Sequence, residues 1–175
     1  MDLDPAYQSA KQIAFSRLDR RECSSQDIYR HLIKKGVSSE IASAIVSELM
    51  ASNLIDDLRF TRMLARQQAA NGKGPNVIRQ KLREKGIQIE LAKVREITEE
   101  VTQIKELDAA KAILERRYPT AALDRRESVR AYQALLRRGF SYSVVQQALK
   151  LLKDSKKVDN SDFDELTNDT DQTTE

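Results

Sequence analysis

The sequence predicts an all-α protein built of three tandem three-helix repeats in an elongated, curved array, followed by an acidic, disordered C-terminal tail. Three observations carry this. Five Gly and three Pro among 175 residues, with 33% charged side chains, make a composition rich in helix formers and poor in breakers. Apolar residues recur at helical spacing between cap and stop signals. A short tag, Leu-x-x-basic-Gly-apolar, occurs three times, as Leu32…Lys35-Gly36-Val37, Leu82…Lys85-Gly86-Ile87 and Leu135…Arg138-Gly139-Phe140, at spacings of 50 and 53 residues. At an offset of 103, Ser25, Tyr29, Leu32, Ile33, Gly36, Ser38 and Ile41 align with Ser128, Tyr132, Leu135, Leu136, Gly139, Ser141 and Val144. The repeats are placed at 1–53, 54–104 and 105–157, with the tail at 158–175.

Taken in order, Asp4-Pro5 reads as a cap followed by Pro at the first helical position, and Ala10, Ile13, Ala14 and Leu18 follow at helical spacing until the pattern fades near Glu22. Ser24 or Ser25 caps a second helix carrying Ile28, Tyr29, Leu32 and Ile33 inward as far as Gly36. Ser38 or Ser39 caps a third, with Ile41, Ile45, Val46, Leu49 and Met50 as its apolar stripe and Asn53 at its close. Asp56 then caps a fourth helix, Asp57 sits where the helix dipole favours negative charge, and Ile55 and Phe60 are spaced as a hydrophobic staple. Gly72 stops that helix, Gly74-Pro75 opens the next, Gly86 ends it, and another begins near Gln88. Between Gln88 and Arg117 there is no Gly or Pro, so two helices are expected to run almost into one another with a bend around Glu106–Asp108. Tyr118-Pro119 ends the later one, and Thr120–Arg125 is a connector. Each tag glycine follows a helix end where positive φ is wanted.

The net charge of +3 conceals an asymmetry. Residues 159–175 hold seven acids and no Lys or Arg, which leaves Met1–Val158 with 30 basic against 20 acidic side chains, a net +10. A basic body of this kind fits a polyanionic partner, although solubility alone would also account for it. The sequence has no apolar run of membrane-spanning length and no secretory pattern at Met1–Ala10, and its lone Cys23 suits a reducing compartment, so a cytoplasmic, monomeric protein is expected. Catalytic, metal and cofactor sites are not expected. One His and one Cys cannot form a tetrahedral metal cluster, Gly72-Lys73-Gly74 lacks the strand and Gly-Lys-Ser/Thr of a phosphate loop, and the helix start explains Asp56-Asp57. His31 is expected to face solvent.

Helix pairs joined by a glycine turn invite comparison with DNA readers, whose second helix presents Arg, Lys, Asn or Gln to base edges. The corresponding helices here do not. Glu40–Ala51 has no basic side chain, Glu90–Glu100 mixes Lys93 and Arg95 with four glutamates, and only the third copy offers Gln146, Gln147 and Lys150. The positive charge lies on the helix before each tag glycine: Arg30, Lys34 and Lys35, then Arg79, Lys81, Arg83 and Lys85, then Arg130, Arg137 and Arg138. A stripe of this sort suits backbone phosphates or an acidic protein groove.

Several segments together resemble the RecX family of bacterial regulatory proteins. Leu54-Ile55-Asp56-Asp57-Leu58-Arg59-Phe60 is similar to the family's L-[LI]-D-D-x-R-F signature. Gly74-Pro75 and Ile78…Leu82…Lys85-Gly86-Ile87 keep its spacing, and Arg137-Arg138-Gly139-Phe140-Ser141-Tyr142 is similar to its R-G-[FY]-S-[YF] segment. The similarity spans roughly Ala10 to Leu152; the acidic tail is outside it. The resemblance implies a non-enzymatic modulator, mainly an inhibitor, of the RecA recombinase. Such a protein binds along the groove of the RecA filament on single-stranded DNA and lowers ATPase and strand exchange in recombination, DNA repair and the SOS response. On that reading Arg79, Lys81, Arg83 and Lys85, with Lys34, Lys35, Arg137 and Arg138, contact filament protein and DNA phosphate. Asp56, Asp57, Arg59, Phe60, Gly36, Gly86 and Gly139 are structural. Two alternatives stay open: an autonomous helix-turn-helix-like nucleic-acid-binding regulator using Gln146 and Gln147, and a helical scaffold that recruits a partner through Phe163 and Leu166.

Overall fold

The computed structural model describes residues 5–118 and 124–154. Asp4, the segment 119–123 and the acidic tail, with Phe163 and Leu166, lie outside the described residues. Within them the chain is all helical: α1 (Pro5–Leu18), α2 (Ser25–Lys34), α3 (Ser39–Ala51), α4 (Asp57–Ala70), α5 (Pro75–Glu84), α6 (Leu91–Thr102), α7 (Glu106–Arg117), α8 (Arg125–Arg137) and α9 (142–154).

The helices group in threes because each triplet closes its own core. In the first, α1, α2 and α3 pack against one another around Ala10, Ala14, Ile28, Leu32, Ala42, Ile45, Leu49 and Ile55. In the second, α4, α5 and α6 enclose Phe60, Leu64, Ala65, Ile78, Leu82, Val94 and Ile97. In the third, Ala110 and Leu114 of α7 meet Ala131 and Leu135 of α8 and Val145, Ala148, Leu149 and Leu152 of α9. Ile55 and Phe60 fall in different cores, so the expected staple is divided between two repeats. Ile33 and Met50, expected inward, are 41% and 43% exposed. Each is one residue beyond a fully buried Leu, and a single three-helix unit buries only a narrow stripe of each helix.

The local signals act as their chemistry requires. Ser24, Ser38 and Asp56 are N-caps whose side chains accept from Asp27 N, Ile41 N and both Leu58 N and Arg59 N. Gly74 precedes Pro75 at the start of α5. The three tag glycines have φ of +84°, +80° and +89°, one backbone conformation used three times. Two boundaries differ from expectation. The break between α6 and α7 is at Gln103–Lys105, just before the expected bend. Gln103 takes φ 58° there without being glycine, its side chain donating to Glu100 O while Thr102 Oγ1 accepts from Ile104 N. The helix expected from Gln88 starts only at Leu91. At α8, Asp124 and Glu127 form a reciprocal capping box that starts the helix at Arg125. As a result α8 has 13 residues where α2 and α5 have 10, which is the extra turn behind the change of spacing from 50 to 53.

Candidate functional site

The middle helices, α2, α5 and α8, carry the cations singled out from the sequence, and the repeats meet where these helices end. At the first joint the C-terminal end of α5 sits on the N-terminal end of α2. Ser24 Oγ donates to Lys85 O at 2.8 Å, Arg30 Nη1 donates to Glu84 O at 2.9 Å, and Lys85 Nζ lies 2.9 Å from Asp27 Oδ2. Asp57 closes the same joint from the other side, accepting from Ser25 N at 2.8 Å and from Ser25 Oγ at 2.6 Å. Arg59 reaches back to Glu22 at 2.7 Å and to the carbonyls of Asn53 and Leu54.

The second joint repeats the arrangement one unit along, with α8 ending on the start of α5. Gly74 N donates to Arg138 O at 2.7 Å, Asn76 N donates to Gly139 O at 3.0 Å, and Arg138 Nη1 reaches Gly72 O at 3.3 Å. A Cβ on Gly74 would meet Gly139 C and Phe140 N at 2.5 Å, so the backbones approach as closely as glycine allows. The basic residue of the tag therefore has a structural use in two copies. Lys85 and Arg138 each bind the preceding repeat. Lys35 makes no such contact among the described residues; it is exposed, and nothing lies within 4 Å of a Cβ on Gly36.

This divides the eight expected contact residues. Lys85 and Arg138 are half-buried at joints. Lys34, Lys35, Arg79, Lys81, Arg83 and Arg137 have no carboxylate partner among the described residues. At about 100° per residue, Arg79 and Arg83 share one flank of α5 while Lys81 and Lys85 share the other, with Ile78 and Leu82 buried between them. With Lys85 held by Asp27 at the joint, the second repeat offers one short cationic row, Arg79 and Arg83, with Lys81 on the opposite flank. On the first repeat, His31 is half-buried and not fully solvent-facing as expected. Burial lowers its pKa from the ordinary 6.5, and the charges of Arg17, Lys35, Lys34 and Arg20 lower it further. Those four cations thus lie close enough to His31 to disfavour its protonation.

A second group of cations was not legible in the sequence. Between the α4 and α6 end of the second repeat and α7 of the third lies a cleft of about 830 Å³, with Arg66, Lys73, Arg95, Arg116 and Arg138 among its lining residues against only Glu99 and Glu106. Its apolar lining includes Val101, Ile104, Ile113 and Phe140. Glu106 builds the wall by accepting from Arg95 Nε at 3.0 Å and from Ser141 N at 2.7 Å, which ties α6, α7 and the start of α9 together. These cations belong to four separate stretches of chain and share no periodicity: the packing of α4 on α6 brings Arg66, Lys73 and Arg95 together within the second repeat, and docking of the third adds Arg116 and Arg138.

Comparison with known proteins accounts for this architecture. Residues 56–93 match the family model for the second three-helix domain of RecX and residues 105–149 the model for its third. The chain is 30% identical over 147 residues to the regulatory protein RecX of Halorhodospira halophila, covering 82% of this chain and 88% of that one. The chain belongs to the RecX family. A RecX of Bacillus cytotoxicus is also 30% identical, over 148 residues, but this chain spans only 53% of its length. Among solved structures, RecX from Lactobacillus salivarius superposes with a TM-score of 0.69 at 22% identity, over 86% of this chain and 98% of that one. A second RecX crystal structure gives 0.67 at 26% identity. The RecX fold is thus present here across all three described repeats. No helix among the described residues is long and apolar enough to cross a membrane.

Proposed function

We propose that this RecX protein is a non-enzymatic regulator that binds the RecA filament on single-stranded DNA and lowers recombinase activity, with the unpaired cations of the middle helices as its contact surface. The observation that carries this reading is the repeated placement of those cations. Lys34 and Lys35, then Arg79, Lys81 and Arg83, then Arg137 put positive charge on the middle helix of each repeat, at positions that differ from one repeat to the next, and two hydrogen-bonded joints fix the spacing of those helices. Cationic helices held at fixed spacing suit a partner that is itself periodic, such as a protein filament with a phosphate backbone running along it. Lys85 and Arg138 contribute indirectly, by setting the angle between repeats.

The test is charge reversal at Arg79→Glu, Lys81→Glu and Arg83→Glu, leaving Lys85 in its joint. Inhibition of the recombinase's DNA-dependent ATPase should disappear while the helical content and unfolding midpoint are kept. Unchanged inhibition would remove these residues from the interface. Binding to naked DNA is measured alongside. For each phosphate of a single strand that the variant no longer neutralises, the salt slope of log K should fall by about 0.7. Sequence-preferring duplex binding without recombinase would instead favour an autonomous nucleic-acid-binding regulator working through the exposed Gln146, Gln147 and Lys150 of α9.

A further inference from the structure

We propose that the cleft between the second and third repeats is the seat of the chain's own acidic segment, residues 159–169, anchored by Phe163 and Leu166. The cleft lining combines apolar Val101, Ile104, Ile113 and Phe140 with the cations Arg66, Lys73 and Arg116. Arg66, Lys73 and Arg116 have no carboxylate partner among the described residues, so the cleft lining carries an excess of positive charge beside its apolar residues.

The segment Asp162-Phe163-Asp164-Glu165-Leu166 has the complementary pattern. Its two apolar residues are three apart, a spacing that lets both reach one surface, and its acids stand beside and between them. An acidic segment with two apolar anchors can satisfy both parts of the cleft, whereas nucleic acid would leave Ile104, which is 50% exposed, and its neighbours unmatched.

Chain length permits the contact. Phe140 lines the cleft, and the 13 residues of α9 then carry the chain about 20 Å away. The eight residues 155–162 span up to about 26 Å when extended, enough to bring Phe163 back. Docking there would place Asp162, Asp164, Glu165 and Asp169 against Arg66, Lys73 and Arg116. Because the cleft adjoins the joint that holds Arg138, beside Arg137, the seated segment would compete with a polyanion approaching the third repeat. The docking stands on the cleft and the segment alone. The competition rests on the function proposed above.

The experiment uses the full chain. Methyl resonances of Ile104 and Ile113 are compared between the unsubstituted protein and the Phe163→Ser/Leu166→Ser variant, with Ile28 and Ile45 of the first core as internal references. Seating of the segment predicts that the cleft methyls shift and the references do not. Arg116→Glu, at an exposed position, should produce the same shift. Salt raised to about 1 M, where the screening length falls to about 3 Å, should weaken the seating in the unsubstituted protein. Cleft methyls identical in the variant and the unsubstituted chain would overturn the proposal. So would shifts that depend on protein concentration, which assign the segment to a second copy. Cleft methyls that respond to a DNA oligomer and not to the tail substitutions would overturn it too. A methyl shift without a gain in recombinase inhibition by the double variant would keep the docking and refute the competition.

Discussion

Adding one methyl group at Gly74 should uncouple the second and third repeats. Gly74 has an ordinary φ of −84°, so an alanine there brings no backbone strain of its own. Its Cβ would instead lie 2.5 Å from Gly139 C and Phe140 N and 2.6 Å from Gly139 O, all of them backbone atoms that cannot turn aside. The third repeat must retreat by roughly 1 Å to restore normal contact distances. That movement breaks the Gly74 N to Arg138 O bond and the two bonds from Asn76 to Gly139 O. At about 1 kcal/mol net per bond, the joint should be weakened by roughly 2–4 kcal/mol. Neighbouring repeats in such arrays are coupled mainly through their interfaces, so urea unfolding followed by circular dichroism should become broader, with the third repeat melting first. Gly36→Ala is the control. Gly36 is a tag glycine with φ +84°, in the position that Gly139 holds in the third repeat, but nothing lies within 4 Å of its Cβ, and the substitution should cost only the left-handed strain of about 1–2 kcal/mol without broadening the transition. If Gly74→Ala unfolds as sharply as the parent and no earlier than Gly36→Ala, the second joint does not couple the repeats and the reasoning fails.

Asp57→Ala removes the acceptor of both Ser25 N and Ser25 Oγ and should destabilise the chain by about 1–3 kcal/mol in urea titrations, more than Asp57→Asn, which keeps an acceptor oxygen. The Lys85–Asp27 pair is partly exposed, so a double-mutant cycle with Lys85→Met and Asp27→Asn should give a coupling of no more than about 1 kcal/mol, weakening with salt. Since the folded state depresses the pKa of His31, the unfolded chain binds the proton first. Its contribution to stability is full above 6.5 and is lost as pH falls from that value towards the lower folded one. Midpoints measured between about pH 7.5 and 5 should show a dependence that His31→Gln reduces, because this is the one histidine in the chain. An anion bound beside Lys34 and Lys35 should raise the His31 pKa, which proton resonance titration with and without single-stranded DNA would detect.

Caps, glycines and apolar spacing are short-range signals, satisfied within one or two turns, so the helices and their threefold repetition are legible in the chain alone. Ser24, Ser38 and Asp56 cap helices, and Gly36, Gly86 and Gly139 adopt one conformation, because the free amides and the positive φ arise locally. The signals failed where the local rule had a substitute. Gln103 turns the chain between α6 and α7 with side-chain hydrogen bonds in place of a glycine, just before the bend expected around Glu106–Asp108. Which charges remain available is settled by the docking of the repeats. Lys85 and Lys35 have the same place in the tag, yet one binds Asp27 across a joint and the other is exposed with no such contact among the described residues. The cleft cations come from α4, α6, α7 and the ends of helices in different repeats. Nothing in their spacing along the chain records that they meet, because Arg66, Lys73 and Arg95 are gathered by tertiary packing within the second repeat, and Arg116 and Arg138 reach them through the docking of the third at Gly74 and Gly139.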